Sequence, residues 1–272
     1  MLTDLAQRWR SGRASYRPAR AVIDTRAHEV APILDDGTAK RFVLEHHYSG
    51  SYPAARARFG LWRGETLVGV AVYAVPVQGR CLDVIPGGRE GAVELSRLVL
   101  LDDVPANGES WFVARTFELL RAAGFEGVLS HADPVARVVD GITLFPGHIG
   151  TIYQATNAVY FGLSAPRTLR LLPSGKLMAP RALTKIRKRE RGHAYAEEQL
   201  VAAGAAPMEF GECPQAWLAR WLPRLTTPLR HTGQHRYAWA LRARGRRHLP
   251  AAQPYPKALD VRQLELANST WG

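Results

Sequence analysis

A chain of 272 residues with 46% hydrophobic residues can bury a real core, which excludes global disorder and permits one large domain or a core with an extension. Lys and Arg number 36 against 24 Asp and Glu, and the resulting net charge of +12 favours a polyanionic partner, nucleic acid first and an acidic membrane surface second. Cys81 and Cys213 lie far apart and form no CxxC, which argues against a disulfide scaffold and a zinc cluster. The N-terminus has no apolar stretch of signal-peptide length and no apolar run is long enough to span a bilayer, so an intracellular, cytoplasmic location without a membrane partner is expected.

In chain order, residues 1–20 form a basic arm carrying Arg8, Arg10, Arg13, Arg17 and Arg20. RAVIDTRAHEVA reads as a first strand, and DDGTAKRFVLEHH as a helix with Asp35 or Asp36 as its N-cap, ended by HHYSGSYP. ARFGLWRGETLVGVAVYAV reads as a hairpin turning at Arg63-Gly64-Glu65. VELSRLVLLDD is a buried central strand, followed by a helix from about Glu109 to Ala123 whose apolar positions Trp111, Phe112, Phe117 and Leu120 recur at helical spacing. GVLSHAD is a short strand, HIGTIYQATN a short helix and AVYFGL a strand. Helices alternating with strands of mixed direction give an α/β (α+β) class, with a core at residues 21–165. Residues 166–272 form a basic C-terminal extension: RALTKIRKRERGHAYAEEQL reads as one basic helix, then come Trp217 and Trp221, QHRYAWALRARGRRHL and QPYPK.

The chemistry-bearing residues lie beside these elements, the pattern of a site built from loops on an α/β scaffold. His47 and Tyr48 follow the first helix; they either cap it and fill a gap, or supply a proton acceptor and a hydrogen-bonding phenol. Strict strand alternation puts Leu95 and Val99 on the face of Arg97, and Glu94, Ser96 and Leu98 on the other. An arginine inside a buried run either pairs internally, for example with Glu94 or Asp133, or anchors an anionic or carbonyl-bearing ligand. Asn107, Gly108 and Ser110 open a helix, where backbone amides either hold a phosphate or make an ordinary N-cap. Asp133 ends a strand before proline and either orients a base or caps the turn. Tyr153 and Asn157, four residues apart on a helix, share a face suited to a heterocycle edge or to plain solvent. For DNA contact, Arg187, Lys188, Arg189 and Arg191 come first and Arg246 and Arg247 next, the other fate of such runs being a solvated helix face.

HYS, ELSRLVL, NGES, SHADP, GHIGTIYQATN and Y-FG, with HRYAWAL and QPYPK near the end, occur in order over roughly residues 40–257 and resemble the Mom family of phage DNA adenine-modification proteins. The resemblance implies a GNAT-like mixed β-sheet flanked by helices. It implies transfer of a carbamoylmethyl (acetamido) group to N6 of adenine in double-stranded DNA, which shields phage DNA from restriction. The matching site positions are His47, Tyr48, Arg97, Ser110, Asp133 and Tyr153. In this reading His47 takes the N6 proton with Asp133 orienting it, and the donor is acetyl-CoA or another activated acetamido or glycine-derived group; the sequence names no metal ligand set. Two competing readings are a conventional acetyl-CoA-dependent N-acetyltransferase acting on a protein, RNA or small amine, and a noncatalytic DNA-binding protein.

Overall fold

The computed structural model describes residues 5–10 and 13–257. In chain order the elements are β1 (Leu5–Arg10), β2 (Arg13–Pro18), β3 (His28–Pro32), α1 (Asp36–His46), β4 (Ala55–Arg63), β5 (Thr66–Ala74), α2 (Gly88–Gly91), β6 (Ala92–Leu100), α3 (Gly108–Ala122) and β7 (Gly127–Ala132). They continue with β8 (Arg137–Val139), β9 (Ile142–Phe145), α4 (Thr151–Ala155), β10 (Val159–Leu163), β11 (Arg167–Leu171), β12 (Leu177–Met178), α5 (Pro180–Lys188), α6 (His193–Val201), α7 (Pro214–Leu225), β13 (Thr227–His231) and β14 (His235–Ala240). The chain forms two compact units, one built from the described residues through Pro134, Gly147–Leu163 and the described residues from Gln234, the other from Val135–Pro146 and Ser164–Gly233.

A seven-stranded mixed sheet in the order β10-β14-β7-β6-β5-β4-β3 forms the first unit. Its pairs are antiparallel except β6 with β7, which run parallel. The fold is therefore mixed α/β, as the sequence predicts. Asp35 caps α1 by accepting from the amides of Gly37 (3.1 Å) and Thr38 (2.7 Å), and Ala39, Phe42 and Val43 pack on Val70, Val72 and Val99 of one sheet face. On the other face, Phe112, Val113 and Leu120 of α3 pack with Ala71, Tyr73, Leu95 and Val128. Buried Tyr73 there shares a 2.5 Å hydrogen bond with Thr116 of α3.

Several expectations are redrawn. The basic arm contains a hairpin, β1 against β2, and the first sheet strand is shorter than RAVIDTRAHEVA, because Asp24 folds the chain back by accepting from the amides of Arg26 (side chain, 2.9 Å) and Ala27 (carbonyl, 3.2 Å). The expected division at residues 20/21 and 165/166 is not that of the structure. The hairpin and β14 belong to the first unit, with β14 lying between β10 and β7, so the sheet is completed only by residues beyond the second unit.

The second unit packs α5, α6 and α7 around fully buried Trp217, whose indole N–H donates to the Ala206 carbonyl at 2.9 Å. The single basic helix expected over 181–200 is two helices. Arg189 adopts φ 51° and Gly192 φ 82°, left-handed backbone that closes α5 and opens α6. The hairpin β8–β9 turns through Asp140 and Gly141, both at positive φ, as a tight hairpin turn demands.

Candidate functional site

The site begins with a break in the sheet. β6 and β7 pair from Ala92↔Gly127 to Leu95↔Ser130 and then part. Beyond that point β6 pairs with β5, and β7 with β14. Two parallel strands thus part at their carboxyl ends, and it is at such a point that the crevice of an open α/β sheet commonly takes its ligand. The Ser130 hydroxyl donates to the Leu95 carbonyl (2.9 Å) at the last paired position.

A bulge decides what faces this parting of the strands. Arg97 is opposite Val72 and Leu95 opposite Tyr73, so Ser96 is an extra residue in β6. Side chains directly opposite share a face, so Arg97 goes with Val72 and Val99, while Leu95 goes with Tyr73 to the α3 side. Glu94, opposite Ala74, returns to the face of Arg97. The alternation expected from the sequence is thus reversed at this one point: Leu95 leaves the face of Arg97 and Glu94 joins it.

The guanidinium of Arg97 is held by Ser51, with Nε donating to its carbonyl (3.0 Å) and Nη2 to its hydroxyl (2.8 Å), while Nη1 donates to the Ser96 carbonyl at 2.6 Å. Burial pulls the pKa of this guanidinium below its ordinary value, opposed by the nearby Tyr48, Glu94 and Tyr153. The pKa of the Tyr153 hydroxyl is pushed up to about 12 by burial, with a Ser130 hydrogen bond acting against it and Tyr48 and Glu94 reinforcing it. These mutual influences gather Tyr48, Arg97 and Tyr153, three of the sequence-predicted residues, into one neighbourhood. Gly150 positions Tyr153: it has φ 77°, and a Cβ there would lie 2.7 Å from both the Tyr153 and Tyr237 rings.

His47 joins them. It is buried, its ring stacks on Tyr48 with centroids 4.3 Å apart, and burial followed by the charges of Arg97 and His148 drives its basicity well below the ordinary imidazole value. Its Nδ1 lies 2.9 Å from the Ser49 hydroxyl, a contact open to either direction, and accepts the backbone N–H of Ser49 at 3.1 Å. An amide N–H can only donate, so the ring proton sits on Nε2 and neutral His47 presents a donor there. Asp133 is buried at the end of β7, and its carbonyl accepts the His148 amide at 2.7 Å. A carboxylate and an imidazole also meet where the strands part: Glu94 Oε1 and His131 Nδ1 are 2.8 Å apart.

Asn107, Gly108 and Ser110 serve the opening of α3 itself. The Asn107 side chain accepts the Ile23 amide (2.7 Å), the Gly108 amide donates to the Pro105 carbonyl (2.9 Å) and the Ser110 hydroxyl to the Asn107 carbonyl (3.0 Å). Gly108 is a packing glycine, since a Cβ would meet Val104 at 2.5 Å. Glu109 stands in the first turn, ion-paired with Arg8; Ser15 donates to Asp102 at 2.6 Å and Arg63 to Asp103 at 2.5 Å. Each of these carboxylates is already paired with an arginine, Asp102 with Arg17 at 3.5 Å, so the turn is a closed set of local contacts around the helix start.

Among the sequence-predicted DNA contacts, Arg187, Lys188 and Arg191 are exposed at the end of α5 and just beyond it. Arg189 is ion-paired with Glu197 at 3.1 Å. In the first unit, Arg246 and Arg247 are exposed on a helical turn over Ala243–His248, where Arg247 Nε donates to His248 Nε2 at 3.1 Å. Ser51, Ser130, His131 and His148 carry no signal of their own in the sequence, although SHADP and GHIG contain three of them, and Glu94 stands out there only as a possible partner of Arg97.

The model of the Mom protein family matches residues 28–213, more than half of the chain. The chain belongs to the Mom protein family. It is similar to the methylcarbamoylase Mom of Escherichia phage Mu, 31% identical over 130 residues that make up 46% of this chain and 49% of that one. The match thus spans about half the length of that Mom relative. Two solved structures are also similar. A tandem GNAT protein from the clavulanic acid biosynthesis pathway is 15% identical with TM-score 0.35, over 54% of this chain and 48% of that one. A Bacillus subtilis acetyltransferase in complex with CoA is 9% identical with TM-score 0.34, over 78% of this chain and 97% of that one. Among the described residues of this Mom-family chain, no helix is long and apolar enough to cross a membrane.

Proposed function

We propose that this protein transfers a carbamoylmethyl (acetamido) group to N6 of adenine in double-stranded DNA, protecting phage DNA from restriction. One observation carries the reading: a Mom-family chain gathers His47, Tyr48, Arg97 and Tyr153 beside the parting of two parallel strands. The name of the phage Mu relative, a methylcarbamoylase, supports the same chemistry.

The adenine amine is paired within the duplex, so the base must be extruded, at a cost of a few kcal/mol. Tyr48, its ring already stacked on His47, offers an aromatic face for the extruded purine. The Nε2–H of His47 suits an acceptor nitrogen of the purine or an oxygen of the donor. Arg97, preorganised by Ser51, neutralises negative charge that develops as the leaving group departs. Asp133 closes the crevice wall through its bond to His148, and Tyr153 supplies a phenol that stays protonated near neutral pH. Arg187, Lys188 and Arg191 contact phosphates, with Arg246 and Arg247 as a second group and Arg189 contributing less because Glu197 holds it. The donor in this reading carries an activated acetamido or glycine-derived group.

The test is expression in bacteria, digestion of cellular DNA to nucleosides and mass spectrometry. The expected result is a deoxyadenosine species heavier by an acetamido group. Unchanged nucleosides with well-folded protein would overturn the reading, and an acetylated amine formed without DNA would replace it with conventional acetyl transfer.

A further inference from the structure

We propose that His131, held by Glu94, is the group that accepts the proton released from adenine N6. The assignment rests on the adenine-transferase reading and adds the residue that reading leaves open. The two side chains come from the two strands that part at the crevice, Glu94 from β6 and His131 from β7, and each is only about one-sixth exposed, 18% and 17%. Their geometry follows from the sheet. Glu94 lies beside Leu129 in the parallel register, and His131, two residues further along β7, points to the same face, one step past the last paired residue Ser130. The bulge at Ser96 is what brings Arg97 to that face as well.

The hydrogen bond fixes the chemistry. A carboxylate accepts and does not donate, so the proton between Glu94 Oε1 and His131 Nδ1 belongs to the imidazole. A neutral His131 therefore keeps its lone pair on Nε2, the state a general base requires. His47 is in the opposite state, because the Ser49 amide occupies its Nδ1. Two histidines serving one crevice are thus locked as complementary tautomers, one donating from Nε2 and one accepting there.

Such a base is needed, because the lone pair of the exocyclic amine is delocalised into the purine and attack is assisted by proton removal. In the step, N6 forms a bond to the methylene carbon of an acetamido donor. The bond from that carbon to an anionic leaving group breaks, and the leaving group takes the electron pair. The N6 proton moves to His131 Nε2, Glu94 compensates the imidazolium charge, and the proton then passes to solvent. His131 is the catalytic residue in this scheme and Glu94 a positioning residue.

Two measurements decide it. Long-range proton–nitrogen NMR of the imidazoles is expected to show His131 as the Nδ1–H tautomer and His47 as Nε2–H, with Glu94→Ala releasing His131 into a mixture. In bacteria, His131→Gln is expected to lower the modified deoxyadenosine about 100-fold or more, the usual effect of removing a general base, with DNA affinity unchanged. An Nε2–H tautomer at His131, or a folded H131Q variant that keeps more than about a tenth of the product, would overturn the assignment. Should H131Q fail to fold, the tautomer decides alone. No modified base from the wild-type protein would instead remove the adenine-transferase reading, an outcome the wild-type control separates from any effect of H131Q.

Discussion

Glu94 and Arg97 face the same side of the sheet although they are three residues apart on one strand, because Ser96 is bulged out of the pairing with β5. Without that extra residue the carboxylate and the guanidinium would lie on opposite faces. Deleting Ser96 restores strict alternation and turns every residue on one side of the deletion over. The expected outcome is complete loss of modified deoxyadenosine together with a large fall in thermal stability, whereas Ser96→Ala keeps the backbone and is expected to retain most of both.

Ser51 holds two of the three nitrogens of Arg97. Arg97→Lys offers a single nitrogen in place of the planar fork, so it cannot reach from three positions the Ser51 carbonyl, the Ser51 hydroxyl and the Ser96 carbonyl. We expect R97K to lose most of the modified base in cells with little change in melting temperature. Ser51→Ala removes one hydrogen bond, about 1 kcal/mol, and is expected to give an intermediate product yield.

Tyr153 is placed by Gly150, where an added methyl meets two aromatic rings and the backbone is left-handed. Gly150→Ala should cost about 1–2 kcal/mol from the backbone alone. Calorimetry should show a melting temperature lower by several degrees, and nucleoside analysis a loss of product larger than stability explains. A melting temperature equal to wild type would contradict the packing described.

Burial and the charges of Arg97 and His148 keep His47 neutral in the folded protein, while in the unfolded chain it titrates near the ordinary value of 6.5. Below that pH the unfolded state binds a proton that the folded state refuses. The stabilisation is therefore fully present above pH 6.5 and is lost as pH falls towards the depressed folded value, with a slope of about 1.4 kcal/mol per pH unit at most. Urea titrations between pH 7 and pH 5 should show this loss, and His47→Gln should flatten it.

The exposed cations at the end of α5 bind phosphates in the proposed function. Replacing Arg187, Lys188 and Arg191 by alanine should reduce the slope of log affinity against log salt by about 0.9 for each phosphate no longer neutralised. Arg189→Ala should change it less, since Glu197 already neutralises that side chain. An unchanged slope in the triple variant would move the DNA surface elsewhere.

Much of the fold is legible in the residues. The Gly64 turn, the apolar run of β6 and the helical spacing of α3 follow from local pattern alone. What pattern cannot supply is partnership. QHRYAWAL looks like a strand, yet nothing local says that it lies between β10 and β7. The break between α5 and α6 is signalled by Gly192 but hidden by the unbroken charge run across Arg189 and Arg191. The site was half visible for the same reason. His47, Tyr48, Arg97 and Tyr153 stand out as polar residues beside apolar runs, whereas Glu94 and His131 acquire their meaning only through a strand register and a bulge.

The late position of β14 has a consequence for synthesis. Until residue 240 has left the ribosome, β7 lacks its outer neighbour and the strand bearing Ser130 and His131 is a bare edge, able to recruit another chain. A nascent chain halted after Leu163 would carry β10 with the place of its partner empty, and holding such a chain soluble is work for a chaperone.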